Sequence, residues 1–101
     1  MVNVRFDAEL WLWEARPHEE WTLVSLPLDA SDEIRDLAGG LRRGFGAVRV
    51  RVTIGASTWQ TSIFPGANGG AYVLPVKKAV RKAESLDPGD TATISVQLVD
   101  F

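Results

Sequence analysis

The chain has 101 residues, of which 46% are hydrophobic and 24% are charged, a composition typical of a folded globular domain and not of a disordered chain. It contains no cysteine, which excludes disulfides, thiolate catalysis and cysteine-ligated metals. The formal net charge is −2, and no segment approaches the roughly 18 apolar residues of a membrane-spanning helix. We expect one domain over residues 1–101, cytoplasmic and not membrane-bound, because the N-terminal residues lack a signal-peptide pattern.

The charges are divided unevenly along the sequence. Residues 1–40 contain three basic and nine acidic residues, whereas residues 41–101 contain eight basic and four acidic ones. If each half formed its own face, the molecule would have one basic surface. If the halves interleave, the charges largely cancel. The sequence leaves both arrangements open.

The first half predicts two strands and a helix. Residues 2–13 alternate between apolar and polar side chains, which predicts one long strand. Trp11 and Trp13 fall on its polar side, where a second sheet, a partner or a ligand must cover them if they are not to be exposed to water. A loop around Pro17 leads to a second strand over residues 21–28, which is apolar on both faces, as expected near the middle of a barrel.

Asp29 is suited to cap a short helix because its side chain can accept a hydrogen bond from the first turn. The apolar residues of that helix recur at helical spacing: Ile34, Leu37, Ala38 and Leu41. The sequence continues with a basic, glycine-flanked loop at residues 42–46.

Residues 48–63 predict a β-hairpin, with Gly55-Ala56 as its two-residue turn. That turn puts one apolar set on a common face: Val48, Val50, Val52, Trp59, Thr61 and Ile63. It puts a polar set on the other: Arg49, Arg51, Gln60 and Ser62. Residues 65–71 contain three glycines and predict a mobile crossover.

Residues 72–98 predict a strand, a short helix, a tight turn and a strand. Pro75 suits the first position of the helix. The predicted apolar stripe is Val76, Ala79, Val80 and Ala83, and four cations occupy the other side: Lys77, Lys78, Arg81 and Lys82. Asp87-Pro88-Gly89-Asp90 has the residues of a tight turn. The last strand places its apolar residues on one face: Ala92, Ile94, Val96 and Leu98.

Six or so strands with two short helices predict an all-β fold built as a small β-barrel. A sandwich remains open.

The chain also resembles a small, mostly bacterial family of domains of unknown function. The matching motifs cover nearly the whole chain: Phe6-Asp7-Ala8-Glu9-Leu10, residues 21–27, Arg43-Gly44-Phe45-Gly46, Val52-Thr53-Ile54-Gly55, Trp59-Gln60-Thr61-Ser62, residues 74–83 and Gly89-Asp90. The resemblance implies a double-split β-barrel. Leu74-Pro75, Arg81 and Gly89-Asp90 are similar to the swapped hairpin of AbrB-like transcription regulators. The resemblance implies no activity and supplies no catalytic residues.

Catalytic constellations are few. His18 is the only histidine and lies in a polar loop, where we interpret it as an idle exposed residue and not a metal ligand or triad member. Asp7 and Glu9 stand two residues apart on one strand face, a spacing that suits a carboxylate pair. The simpler interpretation is two solvated acids.

Two groups of residues predict a binding site. Thr61 shares an apolar face with Trp59, so its hydroxyl needs a partner; this is either the backbone or a ligand in a pocket that Tyr72 and Lys77 reach. The four cations of the second helix, with Arg42 and Arg43, form either a solvated face or a site for an anion. Nucleic acid ranks below an anionic ligand or an acidic partner because the chain is net acidic.

We therefore predict a non-catalytic module that binds a small anionic ligand or an acidic protein. The predicted ligand-binding residues are Trp59, Thr61, Tyr72, Lys77 and Arg81. One alternative is an AbrB-like dimeric DNA-binding regulator. Another is a cofactor-free enzyme that uses Lys77, Tyr72 or the Asp7 and Glu9 pair. No cofactor or metal is expected, and a monomer and a homodimer are both compatible with the sequence.

Overall fold

The computed structural model describes residues 3–16, 19–38, 46–66 and 70–99. These residues form seven strands and two helices: β1 (Asn3–Glu9), β2 (Trp11–Arg16), β3 (Glu19–Ser25), α1 (Leu28–Ala38), β4 (Val48–Ile54), β5 (Ser57–Ile63), β6 (Val73–Pro75), α2 (Lys78–Glu84) and β7 (Thr91–Leu98). The predicted all-β class with two short helices is confirmed. His18, Leu41, the Arg42-Arg43 pair and the middle of the predicted crossover lie outside the described residues.

The strands form two antiparallel sheets with the orders β1-β7-β4-β5 and β2-β3-β6. The sheets are joined at two margins. At one, Leu10 connects β1 to β2, and its N–H donates to the carbonyl of Asp90 at 2.9 Å. At the other, Phe64 at the end of β5 and Val73 in β6 exchange both backbone hydrogen bonds, at 3.0 and 2.8 Å. The described strands thus form two antiparallel sheets joined at both margins, and closure into a barrel stays a prediction.

One apolar core fills the space between the two sheets. The alternation of β4 and β7 turns every second side chain inward, and these side chains are buried as predicted: Val48, Val50, Val52, Ile54, Ala92, Ile94, Val96 and Leu98. The three-stranded sheet contributes Val24 and Leu74 to the same cluster, and α1 contributes Ile34. Because apolar side chains occupy the interior, we expect a ligand-binding site on the surface.

The prediction of one strand over residues 2–13 is wrong. The chain leaves the four-stranded sheet at Leu10, whose C=O accepts from Gly89 N–H at 2.7 Å while its side chain stays buried. The alternating pattern continues through this point, so it gives no sign of the change of sheet. Trp11 is half-buried and donates its Nε1–H to Ser25 Oγ at 3.2 Å. Trp13 remains 49% exposed.

Both helices differ from their predicted faces. In α1, Ile34 is buried as predicted but Leu37 is exposed. Ser31 takes a place on the buried side because its hydroxyl accepts a hydrogen bond from the Tyr72 N–H at 3.0 Å. Asp29 lies inside the first turn and not before it.

Helix α2 begins three residues later than the Pro75 prediction. The Val76 N–H still donates to the Thr22 carbonyl at 2.9 Å, so the chain stays paired with β3 until Lys77, which is extended and precedes the helix. Val76 and Val80 are buried, as predicted, but Ala79 is exposed, and so is Ala83. The short helix therefore packs only one narrow row of side chains against the core.

The β4–β5 hairpin and the turn before β7 match their predictions. Ile54 pairs with Ser57 across Gly55-Ala56, and Val52 pairs with Trp59 in the predicted register. Gly55 has a φ of +58°, as the first central residue of a type II′ turn requires. The Asp90 N–H donates to the Asp87 carbonyl at 2.9 Å to close the second turn.

The two halves of the chain interleave, because β1 pairs with β7 and β3 pairs with β6. The uneven charge nevertheless persists on the helices. Helix α1 carries three exposed acids, Asp32, Glu33 and Asp36. Helix α2, by contrast, carries exposed cations.

Candidate ligand-binding groove

A surface groove with a volume of about 410 Å³ lies where β5 separates from β6 and α2. We call it the β5–α2 groove. Aromatic, hydroxyl-bearing and cationic side chains share its walls. The lining residues are Trp21, Thr22, Trp59, Gln60, Thr61, Phe64, Pro75, Val76, Lys77, Lys78 and Arg81. Its volume falls within the range of known ligand sites, about 300–1,000 Å³.

The groove exists because pairing between β5 and β6 stops after one residue pair. Phe64 and Val73 exchange hydrogen bonds, so an extended ladder would next bring Ser62 opposite Pro75. Proline has no N–H to donate. If β6 continued, Lys77 would be the next residue to face β5. Lys77 instead immediately precedes helix α2. The two strands therefore part, and the space between them opens to solvent.

Proline is tolerated in β6 because its nitrogen faces the groove and not the β3 ladder. The hydrogen bonds to β3 come from the neighbouring residues: the Tyr72 carbonyl accepts from Leu26 and the Val76 N–H donates to Thr22. Pro75 pairs with Leu23 between them. Backbone groups alternate sides along an antiparallel strand, so the nitrogen of Pro75 points toward β5.

Two of the groove cations, Lys78 and Arg81, belong to helix α2, and Lys77 immediately precedes it. The Arg81 Nε–H donates to the Val76 carbonyl at 3.1 Å. At the far end of α2, the carboxylate of Glu84 accepts a hydrogen bond from Ser57 Oγ at 2.7 Å. Lys77 and Lys78 are exposed. Within the described ranges, neither lysine nor Arg81 is paired with a carboxylate.

Four of the five predicted ligand-binding residues meet in this groove: Trp59, Thr61, Lys77 and Arg81. Tyr72 does not join them, which corrects its predicted place. Its side chain is 1% exposed and belongs to the core. The Arg35 guanidinium lies 5.4 Å from the centre of its ring and donates to the Gly70 carbonyl at 2.7 Å. These contacts fix the entry into β6 against α1.

A family model matches residues 6–96 of the chain. The chain belongs to the DUF1905 family, a domain of unknown function. The family resemblance drawn from the motifs is thereby confirmed; its bacterial origin and its similarity to AbrB remain predictions. The comparison with curated proteins found no match. In the described part of this family member, no helix has the length and apolarity needed to cross a membrane.

Two residues that line the groove of this DUF1905 domain were not predicted as site residues from the sequence. Trp21 is 47% exposed and Phe64 is 41% exposed. Trp21 stands directly opposite Trp13 on the neighbouring strand, so an exposed tryptophan pair adjoins the groove. The tryptophans of β2 and β3 fall at odd positions, a pattern that is visible in the sequence. Because the predicted second strand is apolar on both faces, the sequence does not show which of its faces is buried.

The residues considered for catalysis lie at three places in the fold: Asp7 and Glu9 on β1, Tyr72 in the core and Lys77 beside the groove. Asp7 and Glu9 are exposed on β1, and the Asp7 carboxylate accepts a hydrogen bond from Thr93 Oγ1 at 2.6 Å. Lys77 is exposed and not enclosed in a pocket. Among residues 3–16, 19–38, 46–66 and 70–99, no group of three histidine or acidic side chains converges on a common point.

Proposed function

We propose that this domain is a binding module that holds an anionic ligand in the β5–α2 groove. The observation that carries the proposal is the meeting of Lys77, Lys78 and Arg81 with Trp21 and Trp59 on the walls of one groove. A small anionic molecule and an acidic segment of a protein share the chemistry that these residues recognise. The cations supply the attraction, and the aromatic faces supply contact for apolar parts of the ligand.

The fixed position of the helix favours binding over a merely solvated charged face. Two hydrogen bonds, from Arg81 to the Val76 carbonyl and from Ser57 to Glu84, hold α2 beside the groove. The cost of immobilising flexible side chains reduces affinity, and Arg81 has already lost part of that freedom in the unbound protein.

Charge reversal of one groove lysine tests the proposal. A panel of citrate, AMP, inositol hexakisphosphate and an acidic peptide is first screened for thermal stabilisation, where a ligand at 100 times its Kd adds about 2.7 kcal/mol. For any compound that binds, Lys78→Glu should weaken binding about tenfold, or ~1.4 kcal/mol, because it exchanges an attraction for a repulsion. Calorimetric titration measures the change.

Lys82→Glu is the matched control. Lys82 lies one turn further along α2 and is exposed like Lys78, but it is outside the lining of the β5–α2 groove. The same charge change there should cost less than threefold in affinity. A panel without any binder, or equal losses in the two variants, would contradict binding in the groove.

An AbrB-like DNA-binding regulator is the second candidate. The exposure of Lys78 and Lys82 on one short helix, with Lys77 exposed just before it, favours this candidate. It predicts a dimer whose affinity for duplex DNA falls steeply with salt. Because phosphate contacts spread along the helix, Lys82→Glu would then weaken binding as much as Lys78→Glu. The same pair of variants therefore separates the two candidates.

A further inference from the structure

We infer that the occupant of the β5–α2 groove is an extended acidic peptide segment that adds a strand to the edge of β5. The inference rests on the proposed function and names its ligand class. It comes from the direction of the β5 backbone groups, from the character of that strand as an edge, and from the charges across the groove.

The backbone of β5 presents hydrogen-bonding groups to the groove. Phe64 turns its N–H and C=O toward β6. Because these groups alternate sides along an antiparallel strand, those of Ser62 and Gln60 point to the same side. Trp59 and Thr61 point theirs toward Val52 and Val50 of β4. In the part of the chain that the structure describes, no strand pairs with this edge beyond Phe64.

The edge of β5 lacks the features that usually prevent strand addition. Proteins protect edges with charged residues, prolines or bulges. The sequence of β5, Ser-Thr-Trp-Gln-Thr-Ser-Ile, has neither a charge nor a proline, and its seven pairs with β4 run without a register shift.

The other edge strands in the described part of the fold are protected, and β6 is short and contains Pro75. Strand β1 carries three charged residues, Arg5, Asp7 and Glu9, and β2 has a register shift between Glu14 and Arg16. The contrast indicates that β5 is kept able to pair.

The surroundings of the edge define the chemistry of the added strand. Lys77, Lys78 and Arg81 line the groove together with residues of β5 and favour acidic side chains. Trp21 and Trp59 favour apolar ones. A strand presents alternate side chains to opposite faces, so a segment with alternating acidic and apolar residues satisfies both sets while its backbone pairs with β5.

Amide exchange of the full chain tests the inference directly. The probe is a nine-residue peptide of alternating valine and glutamate, acetylated and amidated at its ends. On saturation, the amides of Gln60 and Ser62 should exchange at least tenfold more slowly. The amide of Thr61 faces β4, so its exchange should not change and serves as the internal control. Unchanged exchange at both Gln60 and Ser62 in the bound state would overturn strand addition.

Two N-methylated versions of the peptide provide a second readout that needs no protein variant. One carries methyl groups on the valine nitrogens and the other on the glutamate nitrogens, which blocks one edge of the strand or the other. Pairing through a single edge predicts that one version loses at least tenfold in affinity and the other less than threefold. Equal affinities would overturn the inference.

The outcome for small anions distinguishes the two proposals. If citrate binds and loses affinity in Lys78→Glu, but the valine-glutamate peptide leaves Gln60 and Ser62 unprotected, the strand-addition inference fails and the proposed function stands. If neither the valine-glutamate peptide nor any compound of the panel binds, both fail. A neutral valine-glutamine peptide should bind at least tenfold more weakly than the acidic one; equal binding would overturn the acidic preference.

Discussion

At the residue scale, Glu84 joins helix α2 to the β4–β5 hairpin. Its carboxylate accepts hydrogen bonds from Ser57 Oγ and, at 3.4 Å, from the Ala56 N–H. This contact is possible only because Gly55 has no side chain: a Cβ on Gly55 would collide with Glu84 Oε1. The turn residue and the helix residue therefore fix each other, and with them the position of α2 against the β4–β5 hairpin.

Gly55→Ala should destabilise the protein by about 2–4 kcal/mol. The new Cβ forces a non-glycine residue into a left-handed conformation, which costs on the order of 1–3 kcal/mol, and displaces Glu84 from a partly buried hydrogen bond worth roughly 1 kcal/mol. Urea unfolding measures the loss.

Gly89→Ala supplies the comparison for that loss. Gly89 has a φ of +98°, but a Cβ there meets nothing within 4 Å. This variant has the backbone strain without the collision, so it should lose about 1 kcal/mol less than Gly55→Ala. Equal losses would contradict the role given to Glu84.

At the scale of elements, Pro75 determines that β5 and β6 separate. Its nitrogen faces β5 and cannot donate to Ser62, so the ladder ends at the Phe64–Val73 pair. The groove is thus a consequence of one missing hydrogen-bond donor in a three-residue strand.

Pro75→Val should close part of the groove. The restored N–H lies opposite Ser62 and allows one more pair between β5 and β6, so we expect slower exchange of the Ser62 amide. Affinity for an acidic ligand should fall about tenfold because the pairing edge is occupied. Hydrogen exchange and calorimetric titration check the two effects.

Pro88→Val is the control for loss of a proline. Pro88 lies in the turn before β7, away from the groove lining. Both variants lose the restriction that proline places on the unfolded chain, worth about 0.4–1 kcal/mol. Only Pro75→Val should alter Ser62 exchange. If Pro75→Val leaves Ser62 exchange and ligand affinity unchanged, proline is not what separates the strands.

The same elements show what sequence patterns predict well. Register within the β4–β5 hairpin was predictable, because Gly55 fixes the turn and Val48, Val50 and Val52 fix the buried face. Both signals are local. The change of sheet at Leu10 was not predictable, because alternation continues through it. The start of α2 was missed because Pro75 suits either a first helical turn or a strand whose nitrogen has no partner.

Prediction of the site had a similar limit. Trp59 and Thr61 were predicted as an aromatic and a hydroxyl on one apolar strand face, and Lys77 and Arg81 as part of a basic cluster. Tyr72 was predicted to reach the same pocket from the strand that precedes α2. Its burial depends on Ser31 and Arg35 of α1, contacts between residues about 40 positions apart that no local pattern contains.

At the scale of the whole molecule, the two sheets share one core. Ile94 of β7 and Val24 of β3 belong to the same buried cluster, although their strands lie in different sheets. The chain also crosses between the sheets at Leu10 and pairs across them at Phe64 and Val73. A core shared in this way cannot lose one sheet without exposing the apolar face of the other. The molecule should therefore unfold as a single unit.

Tryptophan fluorescence provides the test, because three of the four tryptophans lie in the three-stranded sheet. Trp59→Phe removes the fourth, so the remaining signal reports that sheet alone.

In this background Ile94→Ala leaves a cavity in the four-stranded sheet and should cost about 2–5 kcal/mol. Shared packing predicts that the urea midpoint seen by fluorescence falls by the same amount as that seen by far-ultraviolet circular dichroism. Leu37→Ala, at an exposed residue of α1, should shift neither midpoint appreciably. A fluorescence midpoint that stays in place while the dichroism midpoint falls would show that the three-stranded sheet, and the groove wall that it forms, is stable by itself.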